Sequence, residues 1–124
     1  MNVIEQAKQA YAPSQVAIRS ERSVEAQLIT QVTAALRKAA AGRVSDFPAL
    51  AAALHRNREM WATLAANVAD RQNGLPAPLR AQLFYLSEFT QIHTGRVLRR
   101  EADTAPLIEI NTAVLRGLNS KGGR

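Results

Sequence analysis

The sequence contains no cysteine. Disulfides, thiolate metal sites and a cysteine nucleophile are thereby excluded, and such a chain suits a reducing compartment. Histidine is scarce too: His55 and His93 are the only two, with neither HExxH nor Cys/His spacing around them. There is one Trp, two Tyr and three Phe, so the core must rest on Leu, Ile, Val and Ala. That palette suits close packing of helices better than a sandwich of strands. No segment alternates apolar and polar residues with period two between turn signals, so strands are not expected. The longest strictly apolar run, residues 49–54, falls far short of the ~20 residues needed to cross a bilayer. Residues 1–12 carry Glu5 and Lys8 where a signal peptide would need an unbroken apolar stretch. These absences predict a cytoplasmic protein without membrane contact.

Catalytic constellations are missing as well. The carboxylates are dispersed, with no close pair of the kind that glycosidases or metal-assisted hydrolases use. Neither GxGxxG nor GxxxxGK[ST] occurs, so a nucleotide phosphate has no cradle. Ser14, Ser20, Ser23, Ser45, Ser87 and Ser120 read as caps and loop residues rather than nucleophiles. An enzyme would have no residue to act through, and no catalytic residue, cofactor or metal is expected.

What is present is a chain of 124 residues, 47% of them hydrophobic. That length fits one domain with a single core. The formal net charge is +6, and of the 16 basic residues only Lys8, Lys38 and Lys121 are lysine. Such a surface attracts anionic partners. The charge is scattered, however, and Arg37, Lys38, Arg71, Arg99 and Arg100 fall where helices should end, complementing the helix dipole. The interleaving of aromatic and basic residues expected of a single-strand binder is absent, which argues against direct RNA binding.

The apolar spacing predicts five helices, near 2–11, 21–41, 46–70, 76–100 and 104–118, packed as a bundle of antiparallel neighbours joined by short connections. Pro13 ends the first, and residues 12–20 read as a linker. Ser20 or Ser23 can cap the second, with Glu25 in its first turn and Gly42 as its stop. The third opens at Ser45 or Asp46, with Pro48 where its missing N–H is harmless. Its stripe is Phe47, Leu50, Leu54, Trp61, Leu64 and Val68. Asn73-Gly74 signals a turn. The fourth helix carries Leu79, Leu83, Leu86, Phe89 or Thr90, His93 and Val97. The fifth opens on Asp103 or Thr104 with Pro106 in its first turn, and residues 119–124 are expected to be a disordered tail. Trp61, Leu54, Leu64, Leu83, Leu86, Ile110 and Leu118 are the expected core.

Four polar or amphipathic residues interrupt this pattern. His55 can pair with Glu59 one turn on, and His93 falls on an apolar stripe, where its ring nitrogen needs a backbone partner. Asn57 and Asn111 each break an otherwise apolar stripe. A buried amide without a hydrogen bond costs ~1–3 kcal/mol. Either each amide bonds a neighbouring helix's backbone and fixes register, or the two line a groove that receives a partner helix. The first is the expectation, since buried polar groups are normally satisfied internally.

The motifs around these residues are distinctive. The run Asn57-Arg58-Glu59-Met60-Trp61, preceded by Ala53-Leu54, resembles the "AL-x-x-NR-x-LW" block of the FlaF family of flagellar proteins, with Met60 in place of the usual Leu. Leu75-Pro76-Ala77-Pro78-Leu79-Arg80 resembles that family's "LP-x-x-(L/I)R" helix opening. Leu107-Ile108-Glu109-Ile110-Asn111, followed by Gly117-Leu118, resembles its closing "LI-x-IN…GL" block. Upstream, residues 20–26, including Arg22 and Glu25, resemble "SPR-x-LEA", with Glu21 for the proline and Val24 for the leucine. Tyr11 stands where the family often has a tyrosine.

The resemblance spans nearly the whole chain in the right order and implies one FlaF-like helical domain over 1–124. It also implies a cytoplasmic, alphaproteobacterial-type protein that promotes flagellin production and filament assembly. Members are described as chaperones that bind unpolymerised flagellin and oppose FlbT, a negative regulator of flagellin message. Tyr11, Arg22, Glu25, Asn57, Arg58, Trp61, Arg80, Leu107, Ile108 and Asn111 are the motif residues that would contact a partner or hold the bundle. The expected partner is flagellin, through its terminal helical segments, with FlbT as a second. A post-transcriptional regulator acting on flagellin message, directly or through FlbT, is the alternative.

Overall fold

A computed structural model describes residues 25–43, 46–70 and 73–122. Among them are four helices and no strand: α1 over residues 25–40, α2 Phe47–Ala69, α3 Ala77–Leu98 and α4 Ala105–Gly122. The expected helix at 2–11, the linker at 12–20 and the start of the second helix lie outside the described residues. One boundary differs clearly. The chain stays helical to Gly122 rather than dissolving after 118, because residues 119–121 include neither a proline nor a glycine to stop it.

Each connection closes by a local device. Asp46 is the α2 N-cap by position, but its side chain makes no cap bond. Its Oδ2 instead accepts from Arg43 N at 3.0 Å, tying the α1–α2 turn shut. Gly42 ends α1 for reasons of space, since it has no positive φ and a Cβ there would lie 3.0 Å from that same Asp46 Oδ2. Asn73 makes an Asx turn, accepting from Leu75 N at 2.9 Å while donating to Asn67 O at 3.0 Å. Asp103 Oδ1 likewise accepts from Ala105 N at 3.0 Å to open α4.

The end of α3 is the unusual one. Glu101 N donates to Arg96 O at 2.9 Å and Arg100 N to Val97 O at 2.9 Å. This is the Schellman pattern, which places Arg100 at the left-handed position normally given to glycine. Its φ is 62°, the only positive φ at a non-glycine among the described residues. The guanidinium then lies 5.0 Å from the centre of the Phe47 ring, linking the end of α3 to the start of α2.

Two apolar clusters are stacked along the bundle. At one end Leu36, Ala53, Leu54, Val97 and Leu107 pack together; further along, Ile29, Val32, Met60 and Trp61 do. Because Leu36 joins Leu54 while Ile29 joins Trp61, α1 and α2 run antiparallel. Trp61 meets Ser87 and Arg58 meets Gln91, so α2 and α3 are antiparallel as well. Leu107 sits in the first cluster with Leu36 and Ile110 beside the second, which returns α4 parallel to α2 and completes an up-down-up-down arrangement. Of the expected core, Leu54 and Trp61 are fully buried. Leu64, Leu83, Leu86 and Ile110 are only half-buried at the rim of the second cluster, and the Leu118 side chain is not among those described.

The expected stripe on α3 does face inward, with Thr90, His93 and Val97 buried and Leu79, Leu83 and Leu86 half-buried, but the helix has a second face that this stripe did not include. The buried residues of α3 are Ser87, Thr90, His93, Thr94 and Val97, whereas Phe84, Tyr85 and Ile92 are 43%, 66% and 68% exposed. Short hydroxyl side chains let α3 lie close to α2, and bulky Leu side chains at those positions would push the two apart. The larger residues are displaced to the flanks and to the outer face.

A left-handed residue with a Cβ costs about 1–2 kcal/mol, while an exposed cation–π contact returns about 0.5–1 kcal/mol. Arg100→Gly is therefore expected to raise stability by about 0.5–1 kcal/mol and the melting temperature by a few degrees. A fall in the melting temperature would show that the Phe47 contact outweighs the strain.

Candidate interaction surface

The motif residues converge inside the bundle. Trp61 Nε1–H donates to Asn111 Oδ1 at 2.8 Å, and Asn111 Nδ2 donates to Asn57 Oδ1 at 2.8 Å. Trp61 is 1% exposed and both amides 0%. The indole nitrogen is a donor only, so Asn111 must present its oxygen to Trp61 and its nitrogen to Asn57. Asn57 must then accept, and its own Nδ2 is left buried without a partner, as is Thr90 Oγ1. The two asparagines bond each other across α2 and α4, rather than a neighbouring backbone. They do not line a groove.

Beside this relay, Arg58 clamps α2 to α3. Its Nη2 donates to Gln91 O at 2.6 Å, and Gln91 Nε2 donates back to Arg58 O at 3.0 Å. The Arg58 guanidinium passes over Gly95 beside that of Arg99: a Cβ on Gly95 would lie 3.5 Å from Arg58 Nη2 and 3.2 Å from Arg99 Nη1. One turn away Ser87 Oγ donates to Trp61 O at 3.1 Å. His93 has the backbone partner expected of it: its Nε2–H donates to the Asp103 carbonyl at 2.8 Å, and its ring stacks on Phe89 at 5.4 Å. His55 pairs with Glu59 at 2.8 Å on an exposed face.

Thus Asn57, Trp61, Leu107 and Asn111 are buried, while Ile108 is half-buried against the first cluster. Arg80 is half-buried, with its Nε buried and unpartnered. Glu25 is half-buried in α1, and Tyr11 and Arg22 lie outside the described residues. The four buried side chains offer no atom to a partner in this conformation.

The surface a partner can reach is elsewhere. Of the four large hydrophobics exposed among the described residues, three lie on α3 (Phe84, Tyr85 and Ile92) and the fourth is Leu28 on α1. At 3.6 residues per turn, Ala77, Ala81, Phe84, Tyr85, Glu88, Ile92, Arg96 and Arg99 share one outer face. Its first part is apolar and its end is basic, where Arg58, reaching over Gly95 from α2, adds a further cation beside Arg99. Arg99 also meets Glu101 at 3.3 Å. Separately, a cleft of about 360 Å³ opens at the end of the bundle between Arg43, Phe47, Leu50, Arg100 and Asp103. No group of three or more His, Asp or Glu side chains converges as metal ligands do among the described residues. No described helix is long and apolar enough to cross a membrane.

A single apolar stripe assigned to α3 leaves this outer face out. The signal was in the sequence: Ser87, Thr90 and Thr94 at three- and four-residue spacing mark a small, hydroxyl-bearing packing face. Phe84, Tyr85 and Ile92 form a second, offset stripe.

Fold and buried relay together define, among the described residues, an all-helical bundle with two motif asparagines buried and bonded to each other inside it. The model of the family described as flagellar protein FlaF matches residues 7–118, and the chain belongs to that family. No curated protein and no solved structure matches it.

Removing one amide strands its neighbours, and each orphaned buried group costs about 1–3 kcal/mol. Asn111→Ala should therefore lower stability by about 2–4 kcal/mol in urea unfolding, by leaving both the indole N–H and Asn57 Oδ1 unpaired. Because the residues share one network, Asn57→Ala with Asn111→Ala should cost about 1 kcal/mol less than the sum of the single changes. Strict additivity would mean that the two amides act independently.

Proposed function

We propose that the protein binds unpolymerised flagellin as a cytoplasmic secretion chaperone, without catalytic activity, and so promotes flagellin synthesis and filament assembly. The observation that carries this reading is the apolar outer face of α3 on a chain of the FlaF family. Flagellin's terminal segments are unfolded before export and can dock as amphipathic helices. Ordering such a segment costs entropy, so the chaperone must offer substantial apolar area in return. Phe84, Tyr85 and Ile92 supply it outside the core, at positions where stability does not call for them. In this reading the buried motif residues serve binding indirectly, by holding α3 in place. FlbT is the proposed second partner, opposing the protein's effect on flagellin message.

One observation favours a second reading. Arg58, Arg96, Arg99 and Arg100 gather near the end of α3, and a basic cluster is the footprint of nucleic-acid binding. In that reading the protein acts on flagellin message directly. Salt separates the two. Four phosphate contacts to single-stranded RNA imply an affinity loss of about 50-fold between 50 and 200 mM salt. An apolar contact with few ion pairs loses little over that range.

Isothermal titration against flagellin terminal peptides at those two concentrations is the test. Binding that weakens less than about fivefold is expected. No binding to flagellin beside tight, steeply salt-dependent binding to flagellin message would give the function to the RNA reading.

A further inference from the structure

We propose that the outer face of α3 seats one amphipathic helix of a partner protein, antiparallel to α3, with acidic residues in its first turn lying against Arg96 and Arg99. Taking that helix to be flagellin's rests on the function proposed above; the chemistry of the occupant follows from the face itself.

The face has direction. From Phe84 to Ile92 it runs about 12 Å along the helix axis, at roughly 1.5 Å per residue, and Arg99 lies about a further 10 Å on. Ala77 and Ala81 at one end are small, so a helix can approach closely there, while the arginine side chains over Gly95 mark the other end. Phe89, half-buried on its His93 stack, broadens the apolar strip at its shoulder. Glu88 is the one acid on the apolar part and disfavours a carboxylate opposite the middle of the strip. The basic residues come only at the end, so an occupant's acids belong there.

Dipoles fix the orientation. The end of α3 is the negative pole of that helix, and the first turn of a docked helix is positive and stabilised by its own Asp or Glu. Antiparallel docking brings these opposite poles together and places those carboxylates at Arg96 and Arg99. The face is also held rigid before binding. The Arg58–Gln91 clamp and the His93–Asp103 bond anchor α3 to α2 and to the start of α4, so most of the ordering cost falls on the partner.

A second copy of this chain fits the same face poorly. In a parallel pairing Arg96 and Arg99 would meet their own equivalents. In an antiparallel one they would meet the Ala77–Ala81 end, which has no carboxylate. A net charge of +6 on each copy adds repulsion.

The test uses the full chain and three synthetic 18-residue amphipathic peptides sharing one Leu/Ala stripe: one with Glu in its first turn, one with Lys there, and one with Glu in its last turn. Fluorescence anisotropy should rank the first tightest, by about tenfold over each of the others. Ile92→Glu and Tyr85→Ala should weaken it about tenfold or more without altering the thermal melt, and Arg96→Glu with Arg99→Glu should reverse the preference towards the Lys peptide. Equal binding of all three peptides, or binding unaffected by Ile92→Glu, would overturn the proposal. So would a dimer in sedimentation that Ile92→Glu disperses, since the face would then belong to a second copy. Flagellin peptides run alongside keep the two ideas apart. If they bind wild type and Ile92→Glu equally, the chaperone reading survives and this surface does not. If only the designed peptide docks, the surface survives and flagellin is the wrong occupant.

Discussion

The indole N–H of Trp61 can only donate, and it is buried at the centre of the bundle where water cannot accept its proton. That single requirement determines the middle layer of the structure. An acceptor must come from another helix, and α4 provides it as Asn111 Oδ1. The remaining half of that amide must then donate, which brings Asn57 of α2 into line with its oxygen forward. Between the two apolar clusters, then, lies a layer in which α2 and α4 are matched by hydrogen bonds of fixed direction. Apolar packing tolerates sliding of one helix along another, whereas a donor–acceptor pair does not. A shift of one turn would move Asn111 about 5.4 Å away from both partners and leave three buried polar groups unmet.

The same layer explains why α3 has two unlike faces. A helix that packs against Trp61 and Asn57 at close range needs small side chains, some of them hydroxyl-bearing. Thr94 Oγ1 returns to Thr90 O at 2.6 Å, satisfying itself within its own helix, and Ser87 reaches the Trp61 carbonyl. With much of the inner face given to Ser and Thr, Val97 is the one apolar residue of α3 that is buried in the core. Some of the bulkier ones take half-buried positions at the rim, as Leu83 and Leu86 do, and others face outward, as Phe84, Tyr85 and Ile92 do. The interior chemistry of the relay and the apolar outer surface are thus linked through the packing distance between α2 and α3.

Much of this was legible in the sequence, and what was not has a physical reason. Four of the five expected helices, the turn at Asn73, the opening of α4 at Asp103, the His55–Glu59 pair and the backbone partner of His93 follow from general rules of spacing, capping and polar satisfaction, with the end of α4 the clear departure. Trp61 and Leu54 were readable as core because a large apolar residue on a clean stripe has nowhere else to go. The pairing of Asn57 with Asn111 was not readable, since it depends on α2 and α4 running side by side, 54 residues apart in the chain. The outer face of α3 was missed for a related reason. The stripe through Thr90, His93 and Val97 does face in, but one stripe per helix leaves a second, exposed apolar face on the same helix unseen. The Arg58–Gln91 clamp was equally hidden, because an arginine reaching a mid-helix carbonyl has no sequence pattern of its own.

The buried relay and the candidate binding face therefore occupy different places in the molecule, and the difference constrains how any partner can act. A substitution in the relay changes the spacing of α2, α3 and α4 and so disturbs the outer face without touching it. A substitution at Ile92 alters the face and leaves the relay intact. Loss of function at Asn57 or Asn111 is consequently no sign of contact with a partner, whereas loss at Tyr85 or Ile92 with unchanged stability is. Binding that depends on both sets of residues is what a rigid, internally hydrogen-bonded scaffold presenting one apolar helix face requires. In the proposed binding the contact falls to α3, which the Arg58–Gln91 clamp, the Ser87–Trp61 bond and the His93–Asp103 bond hold against a core set by a buried tryptophan and two amides.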